Sequence, residues 1–225
     1  MPKEEQGPGA DPGRRITHLG ARDRAIGVLI SGRGSNLQAL IDAADAGVLN
    51  ARIAVVISNK ATASGLARAR AANIEAIVLD HRAYVSRDQY DLALAGELEA
   101  RRVSLVCLAG FMRLVGGPLL EAFPNAILNV HPSLLPAFPG IDAQRQALEH
   151  GVKVSGATVH LVTGELDAGP IIIQSPVPVL DDDTPESLSA RILVEEHRIY
   201  PLAVRAILDG GWRLDGRRFV PAPGA

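Results

Sequence analysis

An apolar run, Ala126 to Val130, leads into Asn129-Val130-His131-Pro132-Ser133-Leu134-Leu135-Pro136. The prolines stop the chain from continuing as strand or helix. An amide and an imidazole are thereby presented at the carboxyl end of an expected parallel strand, where α/β sheets bind ligands. Histidine titrates near neutral pH and can give or take a proton. An asparagine NH₂ can hold a developing oxyanion. Downstream, Thr163-Gly164-Glu165-Leu166-Asp167-Ala168-Gly169-Pro170 carries an aspartate between small residues. Placed beside His131, Asp167 would stabilise the imidazolium, although an ordinary aspartate turn also accounts for that loop. Together Asn129, His131 and Asp167 match an acyl-transfer site with oxyanion donor, general acid and orienting carboxylate. A Gly-x-Ser-x-Gly nucleophile is missing, so the attacking group, for instance an amine, must come with the substrate. His131, His160 and Asp167 could also hold a metal, but no His-Glu-x-x-His or cysteine pair supports it. No metal is expected, and His160 reads as a hydrogen-bonded strand histidine.

Two further features suggest a phosphorylated ligand. Ser31-Gly32-Arg33-Gly34-Ser35-Asn36 separates the first apolar run from a helical pattern. Gly34, Ser35 and Asn36 open that helix, whose N-terminus favours an anion. The loop is not the dinucleotide fingerprint, because Leu37 stands where the last glycine would be, and no Gly-Lys-Ser/Thr makes it a P-loop. A monophosphate fits it; a plain tight turn fits it equally. The last helix carries an apolar stripe of Leu188, Ile192, Ile199, Ala203 and Ile207, with Glu196 on the same face. An inward carboxylate needs a partner or a ligand hydroxyl. Glu195 lies off the stripe, within reach of Arg191 and Arg198.

The elements that must position these groups follow from periodicity. Strands are expected at Ala25–Ile30, Ile53–Ile57, Ile74–Leu79, Val103–Ala109 and Ala126–Val130. Helices fall between them: one after the Ser31–Asn36 loop, one at Thr62–Ala72, and one capped by Ser86 that runs to about Arg102. A short helix at Gln144–His150, long strands at Val152–Val162 and Ile171–Val179, and a helix from Thr184-Pro185 to about Asp209 complete the pattern. Alternation of strand and helix predicts an α/β single-domain fold. Its sheet is mostly parallel and twisted, with helices on both faces and an antiparallel element near the C-terminal end.

Bulk properties agree. The 225 residues are 47% apolar and 21% charged, with a formal net charge of −2, which gives no reason to expect nucleic acid or an anionic membrane as partner. No apolar stretch approaches the ~20 residues of a membrane span. The single cysteine, Cys107, lies in an apolar run and reads as a buried, inert thiol. A cytoplasmic location is expected.

Ser-Gly-x-Gly-Ser-Asn, Leu108-Ala-Gly-Phe-Met-Arg113, Asn-x-His-Pro-Ser-Leu-Leu-Pro, Thr158-Val-His160 and Glu165-Leu-Asp-x-Gly-Pro170 occur in that order. From about Ala25 to Trp212 the chain resembles the phosphoribosylglycinamide formyltransferases, folate-dependent enzymes of purine synthesis. Asn-x-His-Pro-Ser-Leu-Leu-Pro is shared with other folate formyltransferases. The Ser31–Asn36 loop narrows the choice, and so does the length, which leaves no room for a further domain. The resemblance implies the formyltransferase fold. Residues 1–22, with Gly, Pro and mixed charge but no apolar core, read as a flexible tail, ahead of an expected catalytic domain over 23–215 and a C-terminal tail over 216–225. The resemblance assigns Asn129, His131 and Asp167 to catalysis, and Gly34, Ser35, Asn36 and Glu196 to phosphoribosylglycinamide. Arg87, Met112, Arg113, Leu114, Val115 and Asn129 fall to folate. 10-Formyltetrahydrofolate is then a co-substrate rather than a bound cofactor, and a monomer or homodimer is implied. The family often has histidine where Asp142 stands. Two ionised carboxylates in contact would repel, so Asp142 is expected to face away from Asp167, toward solvent or the next helix N-terminus. Two other functions fit less of the pattern: formyl transfer to another amine, such as an amino-sugar nucleotide, and a non-catalytic phosphoribosyl-binding module.

Overall fold

The computed structural model describes residues 24–221. The expected N-terminal tail and the last residues of the expected C-terminal tail lie outside them.

Apolar β-branched runs make the central strands. β1 (Ala25–Ile30) and β4 (Leu105–Leu108) are buried at every position, as strands covered on both faces must be. β2 (Arg52–Ser58) and β3 (Ala76–Val78) lie on one side of β1, and β5 (Ile127–His131) lies beyond β4. Between β1 and β5 the strands are parallel. β6 (Val154–Leu161) runs antiparallel to β5, and β7 (Ile171–Pro178) antiparallel to β6. The described sheet has nine strands in the order β3-β2-β1-β4-β5-β6-β7-β9-β8. The connections leave β1 in one direction and return past it to β4. The carboxyl ends of β1 and β4 therefore mark the reversal of strand order, the general position for a ligand in such sheets.

α1 (Ser35–Asp45), α5 (Ala143–Glu149) and α6 (Pro185–Asp209) pack together, and α3 (Arg87–Ala100) packs with a short α4 (Gly117–Ala122). Ser86 caps α3 by accepting from the Gln89 N–H. Thr184 and Ser187 form a capping box at the start of α6. α6 buries Leu188, Ile192, Ile199, Ala203 and Ile207, the stripe read from its sequence. No helix of the described residues is long and apolar enough to cross a membrane.

Several expectations are corrected. α2 spans Gly65–Ala71 and starts later than Thr62. α4, six residues with Pro118 in its first turn, is too short to show a helical period. The expected C-terminal tail is folded up to Pro221. β8 (Trp212–Asp215) and β9 (Arg218–Pro221) form a hairpin, and β9 pairs with β7 through Ile171 and Arg218. Trp212 is buried, its indole N–H donates to the Ile207 carbonyl at 3.1 Å, and its ring meets Phe219 at 5.4 Å. A free tail would not notice loss of the Phe219 ring. Phe219→Ala is expected to lower the unfolding free energy by about 1–3 kcal/mol, measured by urea denaturation; a change indistinguishable from zero would contradict the docked hairpin.

Candidate active site

Side chains two apart on a strand share a face. Asn129 and His131 do so on β5, and the β5–β6 register sets His160 opposite Asn129. The 162–170 loop then brings Asp167 to the same place, with its backbone in the left-handed region at φ 49°. His131 is 4% exposed. Its Nδ1 lies 3.4 Å from Asp167 Oδ2, and its Nε2 lies 2.9 Å from the Phe138 carbonyl oxygen. Both ring nitrogens thus face acceptors, an arrangement that suits the doubly protonated imidazolium. Asp167 Oδ2 also accepts the Gly140 N–H at 2.8 Å, and Asp167 Oδ1 lies 3.7 Å from His160 Nε2.

Burial pushes the pKa of His160 down. The Leu161 carbonyl and Asp167 pull the other way, and His131 adds to the depression. The hydrogen bonds assign the neutral tautomer: Nδ1–H donates to the Leu161 carbonyl at 3.0 Å, and Nε2 accepts from Asn129 Nδ2 at 3.3 Å. The Asn129 amide is thereby oriented with its second N–H left for a substrate oxygen. Among the described residues no group of His, Cys, Asp or Glu is arranged to hold a metal ion; His131, His160 and Asp167 meet as hydrogen-bonding and charge partners.

The β1–α1 loop is held by its own bonds. Gly34 sits at φ 71°, and a Cβ there would stand 2.8 Å from the Gly65 Cα. Only glycine fits both demands. The Gly65 N–H donates to the Gly32 carbonyl, and the Arg68 guanidinium to the Arg33 carbonyl, each at 3.0 Å. The first helical bond runs from Gln38 N–H to the Gly34 carbonyl, so the N–H groups at the start of α1 remain for an anion. Asn36 Nδ2 donates to Glu196 Oε2 at 2.6 Å, while Asn36 Oδ1 is buried without a partner. Glu196 is 7% exposed. Burial raises its pKa, and the Asn36 bond lowers it by less. The pair presents acceptors that want donors such as hydroxyl or amine.

Of the residues that the resemblance assigns to folate, Asn129 belongs to the cluster with His131, and the others lie on α3 and on the β4–α4 connection. Arg87 is the exposed first residue of α3. Met112 and Leu114 are exposed apolar side chains on the β4–α4 connection, and the Arg113 guanidinium lies over the Tyr90 ring, 5.7 Å from its centroid. Ile141 and Leu166, the chain neighbours of Gly140 and Asp167, are exposed. Asp142 is the exposed N-cap residue of α5 and makes no side-chain capping bond. It therefore lies toward solvent, one of the two placements expected, while the oxygens of Asp167 face Gly140, His131 and His160. A cavity of about 380 Å³ opens between α1 and α6 beside Ser35 and His197, but Asn129, His131 and Asp167 do not line it. The contacts of His160 to Asn129 and of Phe138 to His131 were not foreseen from sequence.

The buried Glu196 carboxyl carries a stability consequence. A raised folded-state pKa contributes stability below the ordinary value, 4.5, that is lost as pH climbs through the raised one. Glu196→Gln keeps the Asn36 bond and removes that loss. Its thermal midpoint is expected to match wild type near about pH 4 and to exceed it near about pH 8. Equal midpoints at both values would show that Glu196 is not strained by burial.

Residues 24–204 match the family described as "Formyl transferase". The chain is 45% identical to phosphoribosylglycinamide formyltransferase of Escherichia coli, over 87% of this chain and 96% of that one. It is 48% identical to the trifunctional purine biosynthetic protein adenosine-3 of Homo sapiens, over 82% of this chain. The chain spans 18% of that human protein and 14% of its Drosophila melanogaster counterpart. Among solved structures, glycinamide ribonucleotide transformylase 1 from Symbiobacterium toebii superposes with a TM-score of 0.89 at 59% identity, covering 91% of this chain and 96% of its own. With the fold, the ordered motifs and the match over residues 24–204 all in agreement, the chain belongs to the formyl transferase family.

Proposed function

We propose that this chain transfers the formyl group of 10-formyltetrahydrofolate to the amine of 5'-phosphoribosylglycinamide, a step of purine synthesis. The observation that carries the reading is the position of the Asn129–His131–Asp167 cluster. It sits on the sheet that also bears, at the end of β1, a helix N-terminus and the unpartnered acceptor of Asn36. Relatives named for this reaction support it.

In this reading the phosphate rests on the N–H groups of Gly34, Ser35 and Asn36 and on the Ser35 hydroxyl, and Glu196 with Asn36 Oδ1 accepts from ribose hydroxyls or the glycinamide end. The folate lies against the backbone of Met112, Arg113, Leu114 and Val115, with Arg87 near its carboxylates. The amine lone pair attacks the formyl carbon and forms the new C–N bond. The formyl oxygen gains negative charge and receives N–H groups from Asn129 and from His131, whose Nε2–H turns from the Phe138 carbonyl to the oxyanion. His160 keeps the Asn129 amide oriented, and Asp167 keeps the imidazolium charged and aligned. The bond from carbon to the folate N10 then breaks. A proton lost by the attacking amine reaches N10 through water, so charge and atoms balance. The folate leaves as product and is a co-substrate; no metal takes part.

Two measurements test this. In an assay that follows release of deformylated folate, Asn129→Ala, His131→Ala and Asp167→Ala are each expected to lower kcat by about 100-fold or more with the fold intact. Near wild-type turnover of Asp167→Ala would sink the His131–Asp167 pairing. Ser35→Ala and Glu196→Ala are expected to raise KM for the phosphorylated amine about tenfold while leaving KM for the folate within about twofold. Equal shifts in both KM values would argue against a separate phosphoribosyl subsite, and formyl transfer only to some other amine would replace the substrate named here.

A further inference from the structure

Ser31 ends β1 at the point where the sheet's connections reverse. Its register neighbours follow from the strand pairs Ile30–Ser58 and Leu29–Leu108: Asn59 on one side and Gly110 on the other. Ser31 and Asn59 are 6% and 2% exposed. Such buried polar side chains are held in place only by satisfied hydrogen bonds. The Ser31 hydroxyl donates to Asn59 Oδ1 at 2.6 Å and accepts the Met112 N–H at 2.9 Å. The Ser31 N–H donates to the Gly110 carbonyl at 3.1 Å. Asn59 Nδ2 in turn approaches His81 Nδ1 at 3.5 Å, in the turn that precedes α3.

The other end of the same connection is held as well. The Gly116 N–H donates to Asp91 Oδ2 at 2.6 Å, and Asp91 is 2% exposed. A Cβ at Gly116 would meet that oxygen at 2.6 Å, so the backbone is drawn against α3. Residues 113–115 thus span two buried side-chain acceptors, with Met112 and Leu114 left exposed. An unsupported loop would have no reason to bury Ser31, Asn59 and Asp91 beneath it. Buried acceptors spent on loop N–H groups fix where the loop's remaining backbone points.

We infer that Ser31 and Asn59 are positioning residues that fix the 112–115 backbone as a rigid edge for the folate. The inference rests on the proposed reading of that edge as the folate site. It makes a selective claim, because the phosphate loop has separate anchors in Gly65 and Arg68. Removing the Ser31 hydroxyl loosens the folate edge and leaves the phosphoribosyl side in place.

The test compares Ser31→Ala and Asn59→Ala with wild type in the full chain. Three quantities are read: amide exchange at Met112 by NMR, the Kd for tetrahydrofolate, and the Kd for phosphoribosylglycinamide, both by calorimetry. Ser31→Ala is expected to speed Met112 exchange and raise the tetrahydrofolate Kd about five- to tenfold, the scale of one neutral hydrogen bond. The phosphoribosylglycinamide Kd is expected to stay within about twofold. Asn59→Ala leaves the hydroxyl present but free to rotate, so its effect is smaller in the same direction. The double variant should be no worse than Ser31→Ala alone, since the two act as one chain. If Ser31→Ala fails to fold, Asn59→Ala supplies the same selective comparison. Unchanged Met112 exchange would overturn the positioning role. Faster exchange with an unchanged tetrahydrofolate Kd would overturn the inference differently, by showing that the 112–115 edge does not bind folate. Equal weakening of both ligands would reduce Ser31 to a general packing residue.

Discussion

The pleat of β5 governs the site. Asn129 and His131 reach one face because they are two residues apart, and a slip of one residue would put Leu128 and Val130 there instead. The register is pinned on both sides of His131. Opposite it, the Thr158 hydroxyl donates to the Ser133 carbonyl at 2.7 Å and accepts the Leu135 N–H at 3.0 Å. Opposite Asn129, His160 accepts from its amide. The reversal of direction between β5 and β6 makes this possible, because an antiparallel neighbour sets side chains directly across from one another.

Burial then sorts the polar groups. Glu196, Asp91 and His160 all sit in the interior near the sheet's carboxyl ends, and in each case burial is the largest influence, favouring the neutral form. Each is placed by a hydrogen bond to another group of the site. The surface pairs are of another kind. Lys153–Asp181 and Arg82–Asp80 join exposed side chains whose attraction water and salt largely screen. The interior groups carry desolvation that only a ligand or a fixed partner can offset, and Asn36 Oδ1 still has none.

Much of this was legible in the chain itself. The central strands and long helices announced themselves through apolar period and caps, because Ala25–Ile30 must be buried on both faces and α6 on one. Asp167 was legible only as a candidate. Its approach to His131 depends on a left-handed residue in a loop, which no period encodes. His160 read as an ordinary strand histidine because its meaning lies in what stands across from it. The hairpin after Asp209 was missed for a related reason. Its strands are four residues each and half of their positions are exposed, too short an alternation to stand out from a tail. Ser31 and Asn59 end two apolar strands, and their chemistry appears only when the strand order makes them neighbours.

The strand order also explains how α6, far along the chain, is indexed to β5. Tyr200 lies one turn after Glu196, on the same side of the helix. Its buried hydroxyl shares its proton between the carbonyls of Leu108 at 3.0 Å and Leu128 at 3.2 Å. Those two residues belong to β4 and β5, and Leu128 immediately precedes Asn129. A slide of α6 by a turn would strand the tyrosine hydroxyl in apolar surroundings and withdraw Glu196 from Asn36. The distance between the Glu196 carboxylate and the Asn129 amide is therefore set by one tyrosine and two strand carbonyls. Two loops on neighbouring strands and one helix registered against both are thereby held at a fixed separation, the precondition for presenting two groups to one another in a set geometry.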